Sequence, residues 1–190
     1  MTRYKKVGKR KYQQLFGGKV FQRILIGTII LLALSLFIDI KLVIFLAIAI
    51  AFNSYLALFQ LQKGLPTDFE LSTFATVLTT MTFGLKWGLF VAVFSKAIAS
   101  IYSGSIIVDH LFMILTYINA AFIASVFSGT GVRTLGMIII IINCMLMAFI
   151  SHNILRLDPT ANISYTATNF IFNSVVFLAF SEAAYAMLTI

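Results

Sequence analysis

The hydrophobic residues of this chain are gathered into long unbroken runs, and that one feature restricts the fold more than any other. Residues 42–61 and 134–150 are each predominantly apolar, and the latter contains five consecutive isoleucines, Ile138 to Ile142. About 20 apolar residues are what a helix needs to cross a hydrocarbon layer roughly 30 Å thick. Inside that layer no water meets the backbone, so each segment must pair its own N–H and C=O groups, and an α-helix does so within one segment. A membrane β-barrel would show apolar and polar residues in alternation. These runs are continuous instead, which excludes it.

Composition agrees. Of 190 residues, 61% are hydrophobic and only 11% charged, with a mean hydropathy of +1.01. A soluble domain carries far more charge on its surface. The expected fold is therefore all-α: a polytopic transmembrane bundle of six to seven helices, forming a single domain over residues 21–190. Ahead of it, residues 1–20 form a basic tail. Arg3, Lys5, Lys6, Lys9, Arg10, Lys11, Lys19 and Arg23 precede the first acidic residue. Such a cluster holds an N-terminus in the cytoplasm with help from anionic membrane lipid, so a multi-pass cell-membrane protein is expected and a nucleic-acid partner is not. Cys144 is the only cysteine, which rules out a disulfide or a cysteine metal cluster within one chain.

Seven candidate spans follow one another. They are residues 21–38, 42–61, 69–83, 85–101, 108–127, 134–150 and 165–187, and the 152–164 connection, with Asp158-Pro159 as a turn initiator, is the longest. If all seven cross, ten Lys and Arg lie inside and three outside. If 21–38 does not cross, the counts are eleven and two, leaving out Lys96 as intramembrane. Both arrangements satisfy the positive-inside rule.

Residues 68–105 hold the most informative stretch. Its first run carries Thr73, Thr76, Thr79, Thr80 and Thr82, and its second begins after Phe83-Gly84-Leu85-Lys86-Trp87-Gly88. Threonine hydroxyls bond back to their own helix, so such a run remains helical in lipid. Gly84 and Gly88 provide a tight turn or a close backbone approach. Lys86 and Trp87 suit the membrane boundary. Lys96 and Glu182 are expected to snorkel to an interface.

Catalytic constellations are absent. The sequence has no His–Glu zinc motif, phosphate-cradling glycine loop or nucleophile elbow, and neither enzyme activity nor a cofactor or metal is expected. Intramembrane polar residues are informative because each is costly in lipid unless it faces protein or a cavity. Asn169 and Asn173, four apart, share a helix face and serve either to bind a ligand or to bond neighbouring helices. Asn53, Asn119 and Asn143 stand singly. Asp109 and His110 open a helix, where a first-turn carboxylate is favoured by the dipole. Thr73, Thr76, Asp109, His110, Asn169 and Asn173 are the candidate substrate-binding residues. Any pocket is expected on the non-cytoplasmic side, between the loop before the threonine helix and the N-terminal half of the last helix. The helix N-termini there would favour an anionic or carbonyl-bearing ligand.

Residues 42–104 resemble the front half of the substrate-binding S component of energy-coupling factor (ECF) transporters. The resemblance rests on Ala47-x-x-x-Ala51 in the first helix and on the turn Phe83-Gly84-Leu85-Lys86-Trp87-Gly88. That turn is similar to the family's Phe-Gly-Pro-x-x-Gly, with Leu85 where proline is usual. The remaining spans fit the family's six-helix fold in number and length. The resemblance implies capture of a small water-soluble nutrient, separate ATPase subunits, and a coupling membrane subunit contacting Ala47 and Ala51. Rod-shape-determining membrane proteins of the MreD kind have a similar helical pattern, which would imply a non-transporting scaffold.

Overall fold

In the computed structural model the described residues are 39–63, 67–104 and 108–190. The basic tail, the expected span 21–38 and the connection 64–66 lie outside them. Every regular element among the described residues is an α-helix: α1 (Ile40–Lys63), α2 (Ser72–Phe83), α3 (Leu85–Ser103), α4 (Val108–Val126), α5 (Val132–Asn153) and α6 (Pro159–Thr189). The chain divides into two units, of which Ile44–Ile190 is the second and is compact. The second holds the greater part of α1 and all the other helices.

All these helices except α2 are long and apolar enough to cross a membrane, so the described residues form a multi-pass helical bundle. Its outer faces carry large apolar side chains: Ile48, Leu111, Met145, Ile163 and Ile171 are each at least 60% exposed. In water a surface of this kind would drive aggregation. Against lipid tails it costs nothing, because there is no hydrophobic gain in hiding it.

The interior is organised around the helix that does not span. α2 has 12 residues, about 18 Å at 1.5 Å per residue, well short of the hydrocarbon layer. Helices α3, α4, α5 and α6 pack around it, and residues 72–80 are all buried. Two of its hydroxyls bond back to the helix: Thr80 Oγ1 donates to the Thr76 carbonyl at 2.7 Å and Thr82 Oγ1 to that of Leu78 at 2.8 Å, while those of Thr76 and Thr79 are buried without a hydrogen-bond partner among the described residues. On its apolar side Phe74, Val77 and Leu78 join Leu135, Ile139, Ile140 and Phe177 in the main core cluster. Phe74 and Phe177 meet edge to face with centroids 5.0 Å apart.

The two glycines of the hairpin have separate tasks. Gly84 alone connects α2 to α3, with φ +88° and ψ 170°, a conformation essentially reserved for glycine. Gly88 lies where α3 crosses α2, and a Cβ there would run into the Thr80 hydroxyl. Gly136 plays the same part between α5 and α6, where a Cβ would overlap the Phe177 ring.

Two helix starts differ from the sequence expectation by three residues or more. The threonine helix begins at Ser72, three residues later than the apolar run, and does not cross as a seventh span would. Residues before it stay out of the helix, and the Asp68 and Leu71 amides donate to the side chains of Thr168 and Asn53 instead. The last helix begins at Pro159, six residues earlier than expected. Asp158 caps it, accepting from the amides of Thr160 (3.0 Å) and Ala161 (3.1 Å), and Pro159 occupies a first-turn position where its missing N–H costs nothing. The pair read as a turn initiator is a helix start. At 31 residues, roughly 46 Å, α6 exceeds the hydrocarbon thickness.

Candidate functional site

The alternation of helix directions brings the last turns of α1, α3 and α5 together with the first turns of α2, α4 and α6. Between them lies a cavity of about 530 Å³. It is unusual for this chain in being lined by charge: Asp68, Glu70, Lys96 and Asp109 all face it. The protein has only six acidic residues, so half of them are gathered on one wall. Ionisable side chains inside a membrane bundle are costly unless they face a cavity or one another; these do both.

The segment Thr67–Leu71 is the floor of the site, and four helices hold it. From α1, Gln60 Nε2 donates to the Phe69 carbonyl at 2.7 Å, and Asn53 accepts from the Leu71 amide while donating to Ser72 Oγ at 3.1 Å. From α6, Thr168 Oγ1 accepts from the Asp68 amide at 3.1 Å, and Asn169 Nδ2 donates to Asp68 Oδ2 at 2.8 Å. From α3, Lys96 Nζ reaches Glu70 Oε2 at 3.0 Å and Asp68 Oδ1 at 3.9 Å. From α4, the Tyr117 hydroxyl donates to Glu70 Oε1. Both Glu70 oxygens are therefore engaged, and the Glu70 side chain is only 5% exposed. Across the cavity Ser100 Oγ and His110 Nδ1 are 2.8 Å apart, joining α3 to α4.

Asp68 lies in this connecting segment, outside the spanning helices. Burial pushes its carboxyl up from the usual 3.8 to about 7; the charge of Glu70 adds to the rise, while Lys96 and Asn169 oppose it. It is thus a group that exchanges its proton near neutrality.

Of the six candidate residues from sequence, the structure brings Asp109, His110 and Asn169 to the cavity wall. Thr73 and Thr76 do not line it; they sit within α2, 3% and 0% exposed, because four helices cover the hydroxyl-bearing face. Asn173 lies behind the wall, fully buried, and donates to the carbonyl and side-chain oxygens of Asn169 at 3.2 and 3.3 Å. It orients the residue that faces the cavity. Ala47 is half-buried and Ala51 exposed, on a helix that also exposes Ile44, Ile48, Phe52 and Tyr55. Glu182 is exposed. Lys96 does not snorkel: its side chain is 13% exposed and ion-paired.

Sequence reasoning did not single out Asp68, Glu70 and Tyr117 and expected Lys96 to snorkel; together the four form the charged centre of the site. One signal was available. Two of only six acids stand two positions apart before a helix, and a lysine lies inside an apolar run. A lysine in lipid calls for a partner, and the fold supplies this doublet, although Asp109 stands nearer in sequence. Compared with known proteins, the chain matches no family model, no curated protein and no solved structure.

Proposed function

We propose that this protein is a membrane-embedded binding subunit that captures a small water-soluble solute for uptake. The observation that carries the reading is a cavity of about 530 Å³ with charged and hydrogen-bonding walls inside an otherwise apolar bundle. That volume lies in the range of small-molecule sites, and so does the combination of an apolar frame with a few convergent polar groups. A bundle that needed only to be stable would gain nothing from this arrangement. Replacing buried ion pairs by apolar residues is often neutral or stabilising.

Uptake in this reading resembles that of an S component. The chain binds the solute, and separate ATPase subunits and a coupling membrane subunit supply the work. Ala47 and Ala51 lie on the α1 face offered to the coupling subunit, where small residues let helices approach closely. The N-terminus is held in the cytoplasm by the basic tail, in the cell membrane.

The test has two arms. In lipid nanodiscs the protein is screened for ligand-dependent stabilisation against vitamins, amino acids and polyamines. A ligand at a hundredfold excess over its Kd adds about 2.7 kcal/mol to apparent stability. The shift is expected in the wild type and not in Asn169→Ala or a cavity-filling Ala99→Trp variant that remains folded. In the second arm the protein is co-expressed with candidate ATPase and coupling subunits, and co-purification is expected to weaken in Ala47→Leu and Ala51→Leu. Absence of any saturable ligand would overturn the binding reading and leave a scaffold role. Absence of a complex would remove the energised transporter.

A further inference from the structure

We propose that the cavity selects an organic cation, a small solute bearing an ammonium or guanidinium group, and that Asp109 is the carboxylate that receives it. This rests on the reading of the cavity as a solute site.

The helix ends around the cavity do not choose the sign of the ligand. A helix N-terminus carries about half a positive charge and a C-terminus about half a negative one. The wall combines first-turn residues of α2, α4 and α6 with last-turn residues of α1, α3 and α5, three ends of each kind, so to first order they cancel. The expectation of an anionic ligand counted only the N-termini. Side chains decide instead: with Asp68 left out as a group that shares a proton near neutrality, Glu70 and Asp109 still outnumber the single ammonium of Lys96.

That ammonium is already committed. Lys96 sits 3.0 Å from Glu70 and 3.9 Å from Asp68; Tyr117 takes the other Glu70 oxygen and Asn169 the other Asp68 oxygen. Asp109 differs. It lines the cavity, and among the described residues its carboxylate has no ion-pair partner and its buried Oδ1 accepts no hydrogen bond. An acceptor left in that condition costs free energy that a donor from the ligand recovers. A charged donor recovers more than a neutral one.

A metal ion would also carry positive charge, but it needs ligands that converge. Among the described residues no three His, Cys, Asp or Glu side chains come close enough together to hold one. An ammonium needs only acceptors within hydrogen-bond reach of separate N–H groups, and Met113, Met147 and Tyr165 supply apolar wall for the rest of the molecule.

The test uses two small thiol reagents of equal reach and opposite charge, trimethylammonium-ethyl and sulfonato-ethyl methanethiosulfonate. They are applied to the full chain in neutral, lipid-free detergent, so that a free cation and not a lipid headgroup is probed. The native Cys144 is removed by Cys144→Ser, and the reporter is Ala99→Cys, on the cavity wall and 3% exposed. Thr160→Cys, exposed at the start of α6, gives the reference ratio of the two rates. Charged clefts enrich an oppositely charged small molecule by about 10- to 1,000-fold. The expected cation-to-anion ratio at Ala99→Cys therefore exceeds the reference by at least about tenfold, falls to within about threefold in Asp109→Asn, and is retained in Asp109→Glu. A ratio equal to the reference, or reversed, overturns the cation while leaving an accessible cavity. A high ratio unchanged by Asp109→Asn overturns the role of Asp109. Reaction with neither reagent overturns the solute-site reading itself, and this proposal with it.

Discussion

Replacing Lys96 by methionine tests whether the charged centre is a closed network. The substitution keeps the length of the side chain and removes only the ammonium, which is 3.0 Å from Glu70 Oε2 with both side chains largely buried, at 13% and 5% exposure. Removing one member of a buried ion pair costs about 3–5 kcal/mol, because the other charge is left without compensation. Two features of the site reduce that cost. Glu70 keeps the Tyr117 hydroxyl, and Asp68, whose carboxyl titrates at about 7, can take up a proton once the cation is gone. We therefore expect Lys96→Met to lose about 3 kcal/mol, at the lower end of that range. The double variant Lys96→Met/Glu70→Gln should return to within about 1 kcal/mol of wild type, a recovery of about 2 kcal/mol over the single variant; adding the Glu70→Gln single completes the cycle that gives the coupling. Reversible unfolding in mixed micelles, followed by circular dichroism, reads both. A single-variant loss below about 1 kcal/mol is the value of an exposed ion pair. It would mean that the ammonium reaches water, and the network as described would be refuted.

Other consequences can be measured on the same protein. Gly84→Ala should cost about 1–3 kcal/mol by forcing an alanine into a backbone conformation that glycine tolerates, read as a lower Tm with unchanged helix content. Gly136→Ala should cost a similar amount, about 1–3 kcal/mol, by overpacking against Phe177; Phe177→Leu in the same chain should recover part of it. The Asp68 carboxyl binds a proton in the folded protein up to about pH 7, whereas its ordinary value is 3.8. Between those values the folded state holds more protons than the unfolded one, so this group's contribution lowers stability as pH rises, by up to about 1.4 kcal/mol per pH unit, and levels off above about 7. A Tm profile across that interval should be flatter in Asp68→Asn, and an identical slope in the variant would remove Asp68 as its source.

The helices were legible in the sequence because their cause is local. A run of apolar residues needs no knowledge of its neighbours to become a membrane helix, and the spans corresponding to α1, α3, α4 and α5 fall within a few residues of the observed ends. The errors arose where one local pattern has two outcomes. Asp158-Pro159 reads equally as a turn and as an N-cap followed by a first-turn proline, and only tertiary packing of the first turns of α6 selects the second. The hydroxyl-rich α2 read as a cavity wall, yet no residue in it reveals that four helices would cover it. The charged centre was hardest to see. Asp68 meets Asn169 across 101 positions of sequence and Glu70 meets Tyr117 across 47, and such pairings depend on which helices become neighbours. What the sequence did disclose was a deficit: a lysine within an apolar run requires an acid, and few acids were available to serve.

The central claim is that the cavity holds a small solute, and its most direct test is to identify what the protein carries. The protein is extracted in mild detergent, denatured, and the released small molecules are quantified by mass spectrometry beside those from folded Ala99→Trp, in which the indole fills the cavity. The account expects a basic, water-soluble solute released in a fixed ratio to wild-type protein and lost from the variant. Equal release from both, or release of lipid alone, would contradict it.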